Sequence, residues 1–251
     1  MSILISQSLI KLLDRTECAE EVKHYLQGTK TAPSEAMLCG LYFEHYLIGG
    51  CRGGQVPEFK PLKSGAKPKA EMDLIQLINK SKEVLKANNI EIKEVQPEYI
   101  YEDIVGHFDA IGIVNGKEAI IDVKWTATRA DDKWNGWGNI NFKPDAHLQA
   151  IHYTYLYYLC KAKKLPFYFL IFGKSGWVKL IHVEISDEIL QQHEIKINET
   201  RKLLKKIIES DFKSNPNMTM CGGCRYKNVC SKRSLKLEIE TITLQENEIL
   251  I

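Results

Sequence analysis

The feature that most constrains this chain is a single charged residue in an otherwise apolar run. Residues 119–125 read Ala-Ile-Ile-Asp122-Val-Lys124-Trp. Such a run is a buried strand by composition, and an ionised carboxylate in a buried strand is costly unless it is paired or bound to a cation. Asp122 and Lys124 are two residues apart, so both project from one face. Just upstream, Asn115-Gly116 separates this run from another rich in β-branched and aromatic residues, Tyr99 to Val114. Asn-Gly between two such runs predicts a hairpin. Pairing across it brings Asp109, in Gly106-His-Phe-Asp109, toward the same face. Two clustered carboxylates repel, and a divalent cation relieves that repulsion. Oxygen ligands suit Mg²⁺ or Mn²⁺. His107 points away from Asp109 and is not expected to be a ligand.

Around the hairpin the periodicity predicts helices over 6–13, 34–48 and about 70–87, with Ser6 and Ser34 as caps. Residues 52–70 carry three prolines and read as a loop. After a polar segment 126–145, Asp145 is expected to cap a helix to about Cys160. Strands follow at 167–172 and 177–185, then a helix from Ser186 to about Phe212 and a strand-like tail over 236–251. The order implies an α/β fold with a mixed central sheet flanked by helices. We divide the chain into an N-terminal helical part (1–95), a core (96–212) and a cysteine-bearing tail segment (213–251) within one compact unit.

The hairpin motif resembles the PD-(D/E)xK nucleases, particularly their RecB-like and Cas4-like branch. Gly40-Leu-Tyr-Phe-Glu44 resembles that family's upstream helical motif, with His45 as the fallback. Gln149-Ala-Ile-His-Tyr153 resembles its Q-x-x-x-Y motif, whose two ends share a helix face. The resemblance implies a restriction-endonuclease-like core and a metal set of Glu44, Asp109, Asp122 and the Val123 position. It implies catalytic roles for Asp109, Asp122, Lys124, Gln149 and Tyr153, with Tyr153 touching DNA. The implied activity is metal-dependent exonucleolytic hydrolysis of DNA, at single-stranded or resected ends, in recombination, repair or CRISPR adaptation. A restriction-type endonuclease and a non-catalytic DNA-binding subunit are the alternatives. A homo-oligomer or a recombination or CRISPR partner protein is compatible with the resemblance.

Seven cysteines, an odd number, argue against a disulfide framework. Cys221, Cys224 and Cys230 have a C-x2-C-x5-C spacing suited to metal. In the nucleases that this chain resembles, three such cysteines and one early cysteine hold an iron–sulfur cluster. Cys18 stands in the early position, so the resemblance implies a [4Fe-4S] staple joining the two ends, with zinc as the alternative. Cys39 and Cys160 read as core residues, and Cys51 as a substitute fourth ligand at most. Trp134, Trp137 and Lys143, on the segment after the catalytic strand, are candidates for stacking on and holding DNA. Trp134 and Trp137 could equally pack that loop onto the core. The formal net charge of +2 supplies no global attraction for nucleic acid, so any such partner depends on a local site. Neither a membrane span nor a secretory leader is expected, which implies a cytoplasmic protein.

Overall fold

A computed structural model describes residues 3–130, 137, 144–213 and 218–231. Helix α1 (Gln7–Arg15) begins where the Ser6 hydroxyl accepts the Leu9 N–H at 3.2 Å, and it buries Leu9, Ile10, Leu12 and Leu13. A second short helix, α2 (Ala19–Leu26), follows Cys18 and was not legible in the sequence. Its eight residues carry too few apolar positions to show a period. Helices α3 (Glu35–Ile48) and α4 (Lys69–Ala87) form as expected. Ser34 caps the first, and Gly49, at φ +92°, ends it in the left-handed conformation that favours glycine.

The expected single strand from Tyr99 to Val114 is instead three strands, β2 (Glu98–Tyr101), β3 (Ile104–His107) and β4 (Ala110–Val114). They are preceded by β1 (Glu91–Val95), a polar strand whose side chains are largely exposed. Beyond the Asn115-Gly116 turn, both residues of which have positive φ, β5 (Lys117–Thr126) pairs with β4 as expected. Helix α5 (Pro144–Lys161) then crosses over, and β6 (Phe167–Gly173) pairs parallel to β5. The helix starts at Pro144, so Asp145 lies in its first turn. Strand β7 (Val178–Val183), helix α6 (Asp187–Glu209) and the short α7 (Met218–Gly223) complete the described elements. The tail at 236–251 lies outside the described residues.

The main sheet has the order β1-β4-β5-β6-β7, and β2 and β3 form a separate pair. The mixed sheet flanked by helices is the expected class. Side-chain alternation sends β5 and β6 into two cores. Ile111, Ile120, Phe167, Phe169 and Ile171 pack with α1, α5 and α6. Ala110, Ile121, Val123, Leu170 and Phe172 pack under α3 and α4. Burial of each large apolar side chain contributes about 2 kcal/mol. Gly112 is required where β1 crosses β4, because a Cβ there would collide with the Glu91 carbonyl. No described helix is long and apolar enough to cross a membrane.

Candidate active site

The break between β3 and β4 builds the site. Ladder pairing of β4 with β5 ends at Ala110 opposite Ile121, and upstream the chain turns away. Phe108 N–H now bonds to Pro97, not to β5. Val123 N–H is thereby left without a strand partner, and the Asp109 carboxylate accepts it at 2.8 Å. Asp109 therefore sits at a strand junction, not within a strand, and its side chain is fixed by the backbone it would otherwise have paired with. In an extended strand the N–H and C=O of one residue share an edge, so the Val123 carbonyl also faces this break.

Asp122 and Lys124 share the α5 face of β5, as the spacing predicts. The Asp122 side chain is only 1 % exposed. Gln149 Nε2 donates to its Oδ1 at 2.6 Å, and the Lys124 ammonium pairs with its Oδ2. Lys124 Nζ lies 3.8 Å from Asp109 Oδ2. Glu44 reaches the group from α3, where Gln96 Nε2 donates to its Oε1. Burial, then the charge of Asp109, pushes both the Glu44 and the Asp122 carboxyls up to about 8. Burial alone would lower Lys124, but the charges of Asp122 and Asp109 raise it. These are three acids and one ammonium in a nearly dry setting, a net negative cluster that welcomes a further cation. Asp122 Oδ2 has the Lys124 ion pair and no hydrogen bond, so a lone pair is available to a metal, and the donor set is the hard-oxygen type that Mg²⁺ or Mn²⁺ takes. Among the described residues no three His, Cys, Asp or Glu side chains already stand at chelating distance. Between Asp109 and Asp122 the positive charge is supplied by Lys124.

Gln96 was not legible as a site residue. It adopts φ +52°, a conformation rare outside glycine, and its N–H bonds to the Asp109 carbonyl at 2.9 Å while its side chain holds Glu44. A non-glycine residue under such constraint, just before Pro97, has no sequence signature.

Several expectations change. Tyr153 is 5 % exposed, stacks on Phe108 with centroids 4.5 Å apart and hydrogen-bonds Gln149. A ring so enclosed supports the Gln149 amide; it does not lie on a DNA-facing surface. Trp137 is buried and packs against Phe169, so the packing alternative holds for it and it is no stacking platform. Trp134 and Lys143 lie outside the described residues. His45 Nδ1 is buried without a partner, and none of its described contacts reaches the carboxylates. His107 pairs with Glu98, away from Asp109. Cys39 is a core residue as expected, whereas Cys160 is only half-buried. Cys51 is buried beside Glu44 and donates to the Gln55 carbonyl, which separates it from the C-terminal cysteines.

At the other end of the molecule, α7 and the turn after it bring Cys224 back toward α2. Burial raises the Cys224 thiol, with smaller contributions from Cys18 and Cys230 nearby, and the Tyr226 N–H donates to its sulfur at 3.4 Å. Cys221 is joined to Cys224 through the backbone bond from Cys224 N–H to the Cys221 carbonyl. Tyr226 stacks on His24 of α2.

Similarity to known proteins agrees with this geometry. No match was found among curated protein sequences. A candidate exonuclease from Eubacterium rectale has the same fold, with a TM-score of 0.67 at 20 % identity over 95 % of this chain and 91 % of that one. An alkaline exonuclease from Laribacter hongkongensis is more distant, with a TM-score of 0.46 at 14 % identity over 82 % of this chain and 90 % of that one. The sequence model of the PD-(D/E)XK nuclease superfamily matches residues 54–231, a span that contains Asp109, Asp122, Lys124, Gln149, Tyr153 and three of the clustered cysteines. The chain belongs to the PD-(D/E)XK nuclease superfamily.

Proposed function

We propose that the chain is a metal-dependent DNA exonuclease that hydrolyses phosphodiester bonds at DNA ends, with single strands as its preferred substrate. The observation that carries the reading is the buried Asp122 carboxylate, held between Lys124 and Gln149 with Asp109 and Glu44 alongside. Asp109, Asp122, Glu44 and the Val123 carbonyl would hold Mg²⁺ or Mn²⁺. Bound there, the cation polarises a phosphoryl oxygen and makes water acidic enough to attack. Lys124 orients that water and offsets charge developing on the phosphoryl group. Gln149 fixes the Asp122 carboxylate, and Tyr153 fixes Gln149 from its stack on Phe108. Gln96 holds Glu44 for the metal. Exonucleolytic action is supported by the kind of protein that shares the fold, not by a feature of the site.

Cys18, Cys221, Cys224 and Cys230 would hold a [4Fe-4S] cluster that staples α2 to the C-terminal segment. The Tyr226 N–H directed at the Cys224 sulfur suits a thiolate ligand, and so does the nearness of Cys18 and Cys230. Absorption near 400 nm and iron content after anaerobic purification test this, and one zinc per colourless chain replaces it. A place in recombination, repair or CRISPR adaptation, and assembly with copies or partners, belong to the same proposal.

The deciding assay uses end-labelled single- and double-stranded DNA with Mg²⁺, Mn²⁺ or EDTA. Metal-dependent shortening from one end, absent in Asp122→Ala and Lys124→Ala, is expected. Internal cuts at a fixed sequence would replace the exonuclease with a restriction-type endonuclease. Binding without cutting by the wild type would leave a DNA-binding subunit.

A further inference from the structure

On the opposite side of the sheet from the carboxylates, α3, α4 and the end of β5 enclose a cavity of about 260 Å³. Trp125 follows Lys124 on β5, so its indole projects to this other face. Leu74, Leu77 and Cys39 complete its apolar wall. Small side chains at Ala36, Ala70 and Ala127 leave the space open, since a leucine at any of them would fill it. The Trp125 indole N–H is buried and has no hydrogen-bond partner. An orphaned donor in an apolar wall is destabilising, and it calls for an acceptor supplied from outside. At the rim stand two carboxylates, Glu35 and Asp73, and one cation, Lys174. Glu35 shares α3 with Glu44, about 13 Å away along the helix, so a strand a few nucleotides long spans both places.

We propose that this cavity is a nucleobase subsite, filled by one base of the strand being cut, and the inference rests on the nuclease reading above. The cavity lies under the roughly 300 Å³ at which drug-sized sites begin, so it admits one flat ring system and not a whole nucleotide. Two carboxylates at the mouth repel phosphate, which excludes a backbone-binding role, yet they accept hydrogen bonds from exocyclic amines. The indole N–H donates to a ring nitrogen or carbonyl of the same base. Lys174 is left for the phosphate that links this base to its neighbour. Adenine, guanine and cytosine have the required amine and thymine has not, so the subsite disfavours thymine.

Two measurements test the proposal in the full chain. In the first, the protein carries ¹⁵N-tryptophan, and the Trp125 indole resonance is identified by its loss in Trp125→Phe. Deoxycytidine, deoxyadenosine and deoxyguanosine are expected to shift it, thymidine to leave it unmoved, and Ala36→Leu to abolish the response. In the second, an abasic position is moved stepwise along a single-stranded substrate. One position is expected to raise KM about ten-fold, the effect of one lost stacked base, with kcat retained. That rise should vanish in Ala36→Leu, or in Ala70→Leu if the first variant does not fold. No shift with any nucleoside, together with a flat abasic scan in an active wild type, overturns the subsite. If the wild type cuts nothing, the nuclease reading falls, and the resonance shift alone decides whether the cavity takes a base.

Discussion

Helix α5 borders two buried polar clusters that behave in opposite ways. Toward β5, Gln149 and Tyr153 face carboxylates whose charges oppose one another. Toward α6, His152 Nδ1 lies 3.1 Å from His193 Nε2 and His152 Nε2 lies 3.0 Å from the Val105 carbonyl, and both rings are almost fully buried. Burial lowers His152 to about 4 and His193 to about 3, so both are neutral at pH 7. One consistent tautomer assignment satisfies the three atoms, with each ring donating from Nε2 and His152 Nδ1 accepting. The histidine pair is what a buried polar group looks like when it serves the fold: neutral and fully hydrogen-bonded. The carboxylate cluster keeps charge and an unsatisfied oxygen, which the fold tolerates only for a purpose outside itself.

Substitutions should separate the two clusters. The largest effect is expected for Asp122→Ala and Lys124→Ala, each lowering the metal-dependent cleavage rate at least about 100-fold while circular dichroism stays native. Next, His152→Ala leaves a buried donor unpaired and a small cavity, and should lower unfolding stability by about 2 kcal/mol in urea titration without changing the metal requirement. The same pair sets an acid limit. Because the folded pKa values lie below the unfolded 6.5, the unfolded chain takes up protons first, and stability falls as pH drops from about 6.5 toward about 4. Replacing both histidines with glutamine should flatten that limb in thermal melts. Gln96→Ala should raise the Mg²⁺ concentration for half-maximal rate by about five-fold, with kcat at saturating metal less affected, whereas a merely structural loss would lower kcat at every concentration. The smallest effect is a gain. Asp122→Asn removes one opposed charge and should stabilise the metal-free protein by about 1 kcal/mol at pH 8, and the gain should shrink as pH falls and the wild-type carboxyl takes up its proton.

The parts of the site that were legible in the sequence are those written in short-range pattern. Asp122 and Lys124 announce a shared face by their spacing, and Asn115-Gly116 announces the turn that brings Asp109 near. Ser6, Ser34 and Ser186 cap helices where a hydroxyl precedes an apolar period. The illegible parts depend on distant partners. The junction at Asp109 exists because β2 draws Phe108 away from β5, and nothing near residue 109 encodes that. Gln96 meets Glu44 across 52 positions. Strand β1 has almost no apolar alternation because it lies at the sheet edge, largely exposed. Trp137 reads as a loop residue from its glycine neighbours, yet Phe169 claims its ring.

The parallel pairing of β5 with β6 has a kinetic consequence. Asp122 is placed opposite Phe169, and the whole of α5 must be made and folded before that pairing can form. The guanidinium of Arg201 then clamps Asp103 from 98 positions downstream, on the hairpin that leads into Asp109. Contacts of such long sequence separation form late and slowly, because chain entropy is spent before they are made. A chain still emerging from the ribosome therefore carries its acidic residues without the geometry that groups them, and competence for chemistry arrives only with the last helix of the core.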